Sequence, residues 1–355
     1  MLMEKLQTRP IQNNGYIVGP VFDHLVFIWT PLWFLALGGL IFFADIADLT
    51  VTLGNPAAGG IHVAVFPTFA MTFTMAHVFA VVFRSHLNPK IFALYPYRFV
   101  AVPVGLLVLF LLSETAWLIG VVAAVWMDNW HSSMQTFGFG RLYDMRAGND
   151  ARIGRRLDIY LALLIYIGPI LCGVSLASQL SDFASFSEIG FDDLARFPGW
   201  AVAHQRWLTM PLFLAGAMFV VYYAYAYWRL AQCGYRVSSQ KVLLYLALAT
   251  TSLYTWAFDS FGQSFFIMES FHSLQYFGLV WWSERHGMQQ TLGLSRVRGG
   301  IWLTLAVFLG VCLAFGLWVA LFSSTHFEVV LFVVVELMHY WYDGFIWSVR
   351  RNQVA

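Results

Sequence analysis

The sequence predicts an all-α membrane protein, a bundle of about ten transmembrane helices with both termini in the cytoplasm. Three observations predict it. Of the 355 residues, 59% are hydrophobic and only 11% are charged, less than half the roughly 25% of a soluble domain. Apolar runs near the ~20 residues needed to cross a hydrocarbon core recur along the whole length. Lysine and arginine crowd into alternate loops, so one side of the bundle is cationic and the other acidic.

In order, the spans are Val21–Phe43, Ile61–Phe83, Phe99–Leu112, Ala116–Phe137, Ile159–Leu176, Trp207–Trp228, Val242–Ala257, Phe265–Trp282, Ile301–Phe322 and Phe327–Trp347. The runs are continuously apolar rather than alternating. That favours helices, which satisfy their own backbone in lipid, over a barrel. The third span is short and is expected to run on into Ser113. No linker, low-complexity segment or soluble domain interrupts the chain, so residues 1–355 read as a single integral membrane domain. The first span is full length and no small-residue cleavage site follows it, so it reads as a retained helix rather than a signal peptide.

Direction follows from the cations. Lys5 and Arg9 precede span one. Arg84, Lys90 and Arg98 follow span two, and Arg141, Arg146, Arg152, Arg155 and Arg156 follow span four. Arg229, Arg236 and Lys241, then Arg285, Arg296 and Arg298, and finally Arg350 and Arg351 complete that side. Of 20 cationic residues only Arg196 and Arg206 lie opposite, among Asp45, Asp48, Glu114, Asp182, Glu188, Asp192 and Asp193. The expected location is a bacterial inner membrane. The outer loop near Ser181–Gly199, with its acids and phenylalanines, is expected to lie on the membrane surface. A net charge of +1 gives no ground for a nucleic-acid partner. Cys172, Cys233 and Cys312 form no CxxC pair and no disulfide framework.

Ionisable groups inside spans are costly and mark candidate sites. Here they fall into stripes. Span four carries Asp128, His131 and Gln135, span eight Glu269, His272 and Gln275, and span ten Glu336, His339 and Asp343. Each has an acid three residues before a histidine and a polar group three or four after it, on one helix face. Spans four and eight also share wording, His131-Ser132 with Gln135, Phe137 and Gly138 against His272-Ser273 with Gln275, Phe277 and Gly278. Span two adds His77, one turn after Thr74, and span one adds Asp23-His24. Spans two, four, eight and ten run in the same direction, which places their histidines roughly 10 to 20 Å from the cytoplasmic charges at ~1.5 Å per residue.

Imidazoles with carboxylates suit a transition metal. The candidate ligands are His77, His131, His272 and His339, with His24 a fifth. Glu269, Glu336, Asp128 and Asp343 are candidate ligands, ligand-orienting groups or proton carriers, and Gln135 and Gln275 candidate cofactor contacts. A plain packing role stands beside this, because polar side chains also hydrogen-bond between membrane helices; for His24 both readings stand open. His62, His86, His204, His286 and His326 fall at span ends or in loops and read as solvated. Phe265, Phe266 and Phe271 flank the Glu269–His272 stripe, either lining a slot for a long apolar substrate or simply packing.

The acid-x-x-His unit resembles the inward-facing pairs of di-iron helical bundles. The ending His339-Tyr340-Trp341-Tyr342-Asp343-Gly344-Phe345-Ile346-Trp347 resembles that of uncharacterised bacterial polytopic membrane proteins. The layout of histidines on several membrane helices is similar in architecture to bacterial membrane β-carotene dioxygenases, which hold iron with histidines. That resemblance implies an iron-dependent oxygenase acting on a lipid or isoprenoid; a redox partner is left open. Membrane desaturases and alkane hydroxylases need HxxxH and HxxHH clusters, which this sequence lacks. The alternatives are a haem- or quinone-binding electron-transfer subunit, with histidines as axial ligands, and a proton-coupled transporter using the acids and histidines as a relay. A retinal protein is disfavoured, because none of Lys5, Lys90 and Lys241 lies in mid-span.

Overall fold

A computed structural model describes residues 10–44, 46–53, 61–322 and 324–347, with the side chains at 53, 61 and 62 left aside. The cations Lys5, Arg9, Arg350 and Arg351, the acid Asp45 and the side chain of His62 lie outside what is described. Among the described residues the protein is all-α but for one short antiparallel strand pair. Ten long helices carry it: α1 (Thr30–Phe43), α2 (Val65–Ser85), α3 (Pro96–Leu112), α4 (Glu114–Arg146), α5 (Arg155–Cys172), α6 (Asp192–Gln232), α7 (Ser239–Phe258), α8 (Phe261–Thr291), α9 (Gly300–Phe322) and α10 (His326–Ile346).

Among the described residues five segments are long and apolar enough to cross a membrane: Asn13–Phe43, α2, α6, α9 and α10. A sixth is Arg155–Cys172 with Leu176–Ile189, if that pair, bent by 103°, forms one broken span. Helices α4 and α8 are long but less apolar, and they are the two that carry Asp128, His131 and Gln135, and Glu269, His272 and Gln275.

The backbone departs from the expected spans at three places. Span one is not one α-helix: a π-helical stretch, Asp23–Ile28, precedes α1. Buried Asp23 fixes this entry, accepting hydrogen bonds from the amides of Ile17 at 2.7 Å, Val18 at 3.0 Å and Gly19 at 3.2 Å. Span two begins as a strand. β1 (Thr50–Leu53) pairs antiparallel with β2 (Ile61–Ala64), register Val51 to Val63, and the helix starts only at Val65. Threonine and valine suit such a ladder. Span five stops at Cys172, because Gly173 turns extended and approaches another backbone. A Cβ on it would stand 2.3 Å from the Trp256 carbonyl oxygen.

The chain divides into two compact units. The first comprises Met1–Leu32 and Val125–Phe261, the second Trp33–Ala124 and Gly262–Ala355. In the first, α5 packs on α6 and α7. Its interior holds an ion-pair cluster: Arg141 pairs with Asp158 and, at 3.1 Å, with Asp144, while Lys241 Nζ lies 2.8 Å from both carboxylates.

In the second unit α2 packs along α9 and α10, and α3 along α10. Gly316 lets α9 approach closely, since a Cβ there would stand 2.0 Å from the Thr72 carbonyl oxygen. Such contacts between small residues and backbone are the usual device of membrane helix pairs. Buried Arg84 ties the ends of α2, α8 and α10 together. It pairs with Glu284, donates to Ser283 Oγ at 2.9 Å and to the Ile346 carbonyl at 2.9 Å, and lies over the Trp347 ring at 3.8 Å.

Candidate functional site

The second unit brings three of the predicted histidines together. His77 comes from α2, His272 from α8 and His339 from α10, and all three are buried, at 0%, 1% and 0% exposure. The His77 ring meets that of His272 edge-on with centroids 4.9 Å apart, and that of His339 with centroids 5.0 Å apart. One nitrogen of His77 and one of His339 lie within 4.8 Å of each other. Two nitrogens sharing one ion, with bonds of about 2 Å, stand roughly 3 to 4 Å apart, so a shift of about 1 Å or less would let both bind.

The rings are held from behind. His77 Nδ1 lies 3.0 Å from Ser273 Oγ, next to His272 in sequence, and the Thr74 backbone also bonds the ring. With Nδ1 occupied, Nε2 is the atom left for a ligand, as second partners of metal-binding imidazoles commonly arrange. His77 Nε2 is buried and has no hydrogen-bond partner among the described residues. A buried polar atom of that kind calls for a reason.

Tyr276 closes the cluster. Its ring lies 5.8 Å from His77 and 4.7 Å from His339, centroid to centroid. Its hydroxyl donates to Asp343 Oδ1 at 2.9 Å, and Trp347 Nε1 donates to the same oxygen at 3.0 Å. The C-terminal motif thus has a local physical meaning. His339, Asp343 and Trp347 repeat every four residues along one face of α10, from the histidine cluster to the Arg84 latch. Tyr342 and Phe345 turn to Phe99, at 4.8 and 5.9 Å.

The other predicted residues are placed as follows. Glu269 is buried beside its own histidine on α8, at 1% exposure, and Gln275 is buried at 2%. Glu336 is half-buried and accepts from the Tyr340 hydroxyl at 2.8 Å, one turn along its own helix. Asp343 sits behind Tyr276. In the first unit, His131 is buried at 3%, and Asp128 and Gln135 are half-buried on the same helix. His24, also in the first unit, has Nε2 3.3 Å from the Tyr16 hydroxyl and stacks on Trp29.

One expectation changes with the structure, and one open pair of readings is decided. His86 is not a solvated loop residue. It is half-buried, with Nδ1 2.7 Å from Ser85 Oγ and Nε2 3.2 Å from the Phe99 carbonyl oxygen, because the loop folds back onto α3. Phe266 packs with Phe34, Phe66 and Phe69, and Phe271 is fully buried, so these two form core rather than a slot. An apolar cavity of about 260 Å³ does lie among α2, α3 and α10, lined by Val82, His86, Val104, Leu331 and Met338.

The sequence pattern does not single out Tyr276, and it marks Ser273 only as a match to Ser132. Tyr276 lies four residues after His272 on α8, the spacing at which Gln135 follows His131, so the same spacing could have found it.

Together these features define a helical protein with membrane-length apolar helices and a buried histidine cluster backed by hydroxyls and carboxylates. Among protein families, curated proteins and solved structures, none matches this chain.

Proposed function

We propose that this chain is an integral membrane protein of ten spans, with both termini in the cytoplasm of a bacterium, that binds a transition metal. Its ligands are His77, His272 and His339 of the second unit. Glu269 orients the His272 side of the site, and Asp343 acts through Tyr276. The proposed activity is that of an oxidoreductase, an iron oxygenase taking a lipid or isoprenoid from the bilayer, with electrons from a redox partner. Iron so bound would supply the activation of dioxygen. His24 is left outside the set, because the Tyr16 hydroxyl faces its Nε2.

One observation carries the metal reading: the buried, unpartnered Nε2 of His77 beside two further buried imidazoles. A membrane interior tolerates such an atom only at a cost of about 1–3 kcal/mol. An ion removes that cost. The apolar cavity beside α10 favours a hydrocarbon substrate.

A second reading has its own support. The hydrogen bond from Tyr276 to Asp343 extends the histidine cluster toward one end of α10, which suits a proton relay without metal.

The experiment is an absorption spectrum with metal analysis of protein purified in mild detergent, followed by oxygen uptake with isoprenoid and fatty substrates. Iron near one per chain with substrate-dependent oxygen uptake is expected. Metal-free protein that acidifies or alkalinises a vesicle lumen would favour the relay, and a Soret band would favour haem.

A further inference from the structure

The first unit contains a second candidate site that the histidine cluster does not use. A cavity of about 590 Å³ lies among α5, α6 and α7, within the roughly 300–1,000 Å³ typical of small-molecule pockets. Its walls are aliphatic, from residues such as Leu164, Gly168, Ala217 and Ala249, and its rim residues Phe213, Leu246 and Leu253 are exposed. One end is polar, where Asp144, Lys241, Tyr227 and Tyr245 line it. An apolar tunnel with one polar end selects an amphiphile, and the polar end says which one.

The charges there are already balanced. Arg141 and Lys241 face Asp144 and Asp158, two cations against two carboxylates. Asp158 is saturated, since its Oδ1 accepts from Tyr223 at 2.8 Å and Tyr227 at 2.6 Å, and its Oδ2 from Lys241 and Arg141. A carboxylate or ammonium head group would add an uncompensated buried charge, which costs several kcal/mol. A neutral head group would not.

Three buried atoms at this end have no hydrogen-bond partner of good geometry among the described residues: the hydroxyls of Tyr245 and Tyr235, and Asp144 Oδ1. The Tyr245 hydroxyl is buried and has no hydrogen-bond partner among the described residues; the residue is 6% exposed. Asp144 Oδ1 has the Tyr235 hydroxyl beside it as a hydrogen-bonding neighbour, and a carboxylate oxygen has two lone pairs, so a second donor can still reach it. The Tyr245 hydroxyl packs on Gly140, where a Cβ would stand 2.3 Å from it. Asp144 follows Gly140 by one turn of α4, and residues four apart on a helix stand roughly 5–6 Å apart. One oxygen that accepts from Tyr245 and donates to Asp144 would serve both groups. A hydroxyl does this at a single atom, without charge, at the end of a hydrocarbon chain.

We propose that this cavity binds a single-chain lipid alcohol, its hydroxyl bridging Tyr245 and Asp144 and its tail lying along α5, α6 and α7. The inference does not rest on the metal reading, since all of its residues belong to the first unit.

The test uses full-length protein in phospholipid nanodiscs and equilibrium binding of tritiated oleyl alcohol, competed by farnesol, oleic acid and 1-octadecene. Saturable binding is expected, displaced by farnesol and at least tenfold less well by oleic acid or octadecene. Tyr245→Phe, which removes only the hydroxyl, should weaken binding about three- to tenfold, in line with one hydrogen bond. Ala249→Trp should fill the tunnel and abolish binding while the protein elutes as before in gel filtration. Tyr160→Phe, an exposed tyrosine on α5, should change nothing. Oleic acid competing as well as the alcohol, non-saturable uptake as by bulk lipid, or unchanged affinity in Tyr245→Phe would each overturn the proposal.

Discussion

Changing Glu284 to glutamine should destabilise the second unit more than any single change at the histidines. Glu284 and Arg84 are both buried, with side chains 6% and 3% exposed. Arg84 spends its other donors on Ser283 and the Ile346 carbonyl, and Asn88 Nδ2 donates to the second Glu284 oxygen at 2.9 Å. Glutamine keeps the shape but leaves the guanidinium without its counter-charge in a low-dielectric interior. Breaking one partner of such a pair costs about 3–5 kcal/mol, whereas replacing both with apolar residues of similar volume is often near neutral. The Trp347 ring over Arg84, at 3.8 Å, offsets about 1–2 kcal/mol of the loss. The net expectation is roughly 2–3 kcal/mol. The assay is denaturant unfolding in a mild detergent of wild type, Glu284→Gln, Arg84→Met and Arg84→Met/Glu284→Met. The double variant should recover at least half of what either single variant loses. Strictly additive losses would refute the reasoning, because they would mean that the two charges do not interact.

Ser273→Ala should weaken metal affinity about 10- to 100-fold with little loss of folded protein, since it removes only the group beside His77 Nδ1; a competitive chelator titration reads this. Gly316→Ala should lower the yield of folded protein and cost about 1–3 kcal/mol, because its Cβ meets the Thr72 carbonyl at 2.0 Å. Gly310→Ala on the same helix, with nothing within 4 Å of the added carbon, should be neutral in the same melt. Reporter fusions after Ala147 and Gly234 should read cytoplasm and one after Ser187 the outside; the reverse pattern would end the orientation argument.

Most of the helical architecture was legible because burial in lipid needs long apolar runs, and those are visible in one dimension. Each expected span falls largely on one of α1 to α10. The breaks were harder to see. Gly173 stops α5 only because Trp256, 83 residues away in sequence, leaves no room for a Cβ, and the β1–β2 pairing borrows residues that also read as a helix start. Charge was legible in sign but not in place. Arg84, Arg141 and Lys241, counted with the cytoplasmic loops, are buried at 2–4% exposure, because Glu284, Asp144 and Asp158 meet them at helix ends.

For the site, helical spacing marked His77, His272 and His339. Spacing fixes a face and not the direction in which a flexible carboxylate turns: the Tyr340 hydroxyl donates to Glu336 and the Tyr276 hydroxyl to Asp343, and Tyr276 lies outside the acid–histidine pattern.

Metal content per chain in wild type, His77→Ala, His272→Ala and His339→Ala, all purified identically, decides whether the buried histidines hold a metal, with His286→Ala as the control on an exposed histidine. Near one metal per chain is expected in wild type and control, and loss of most of it in each of the three variants while the protein still inserts and stays monodisperse. Wild-type metal content retained in His77→Ala and His339→Ala alike would contradict the metal reading.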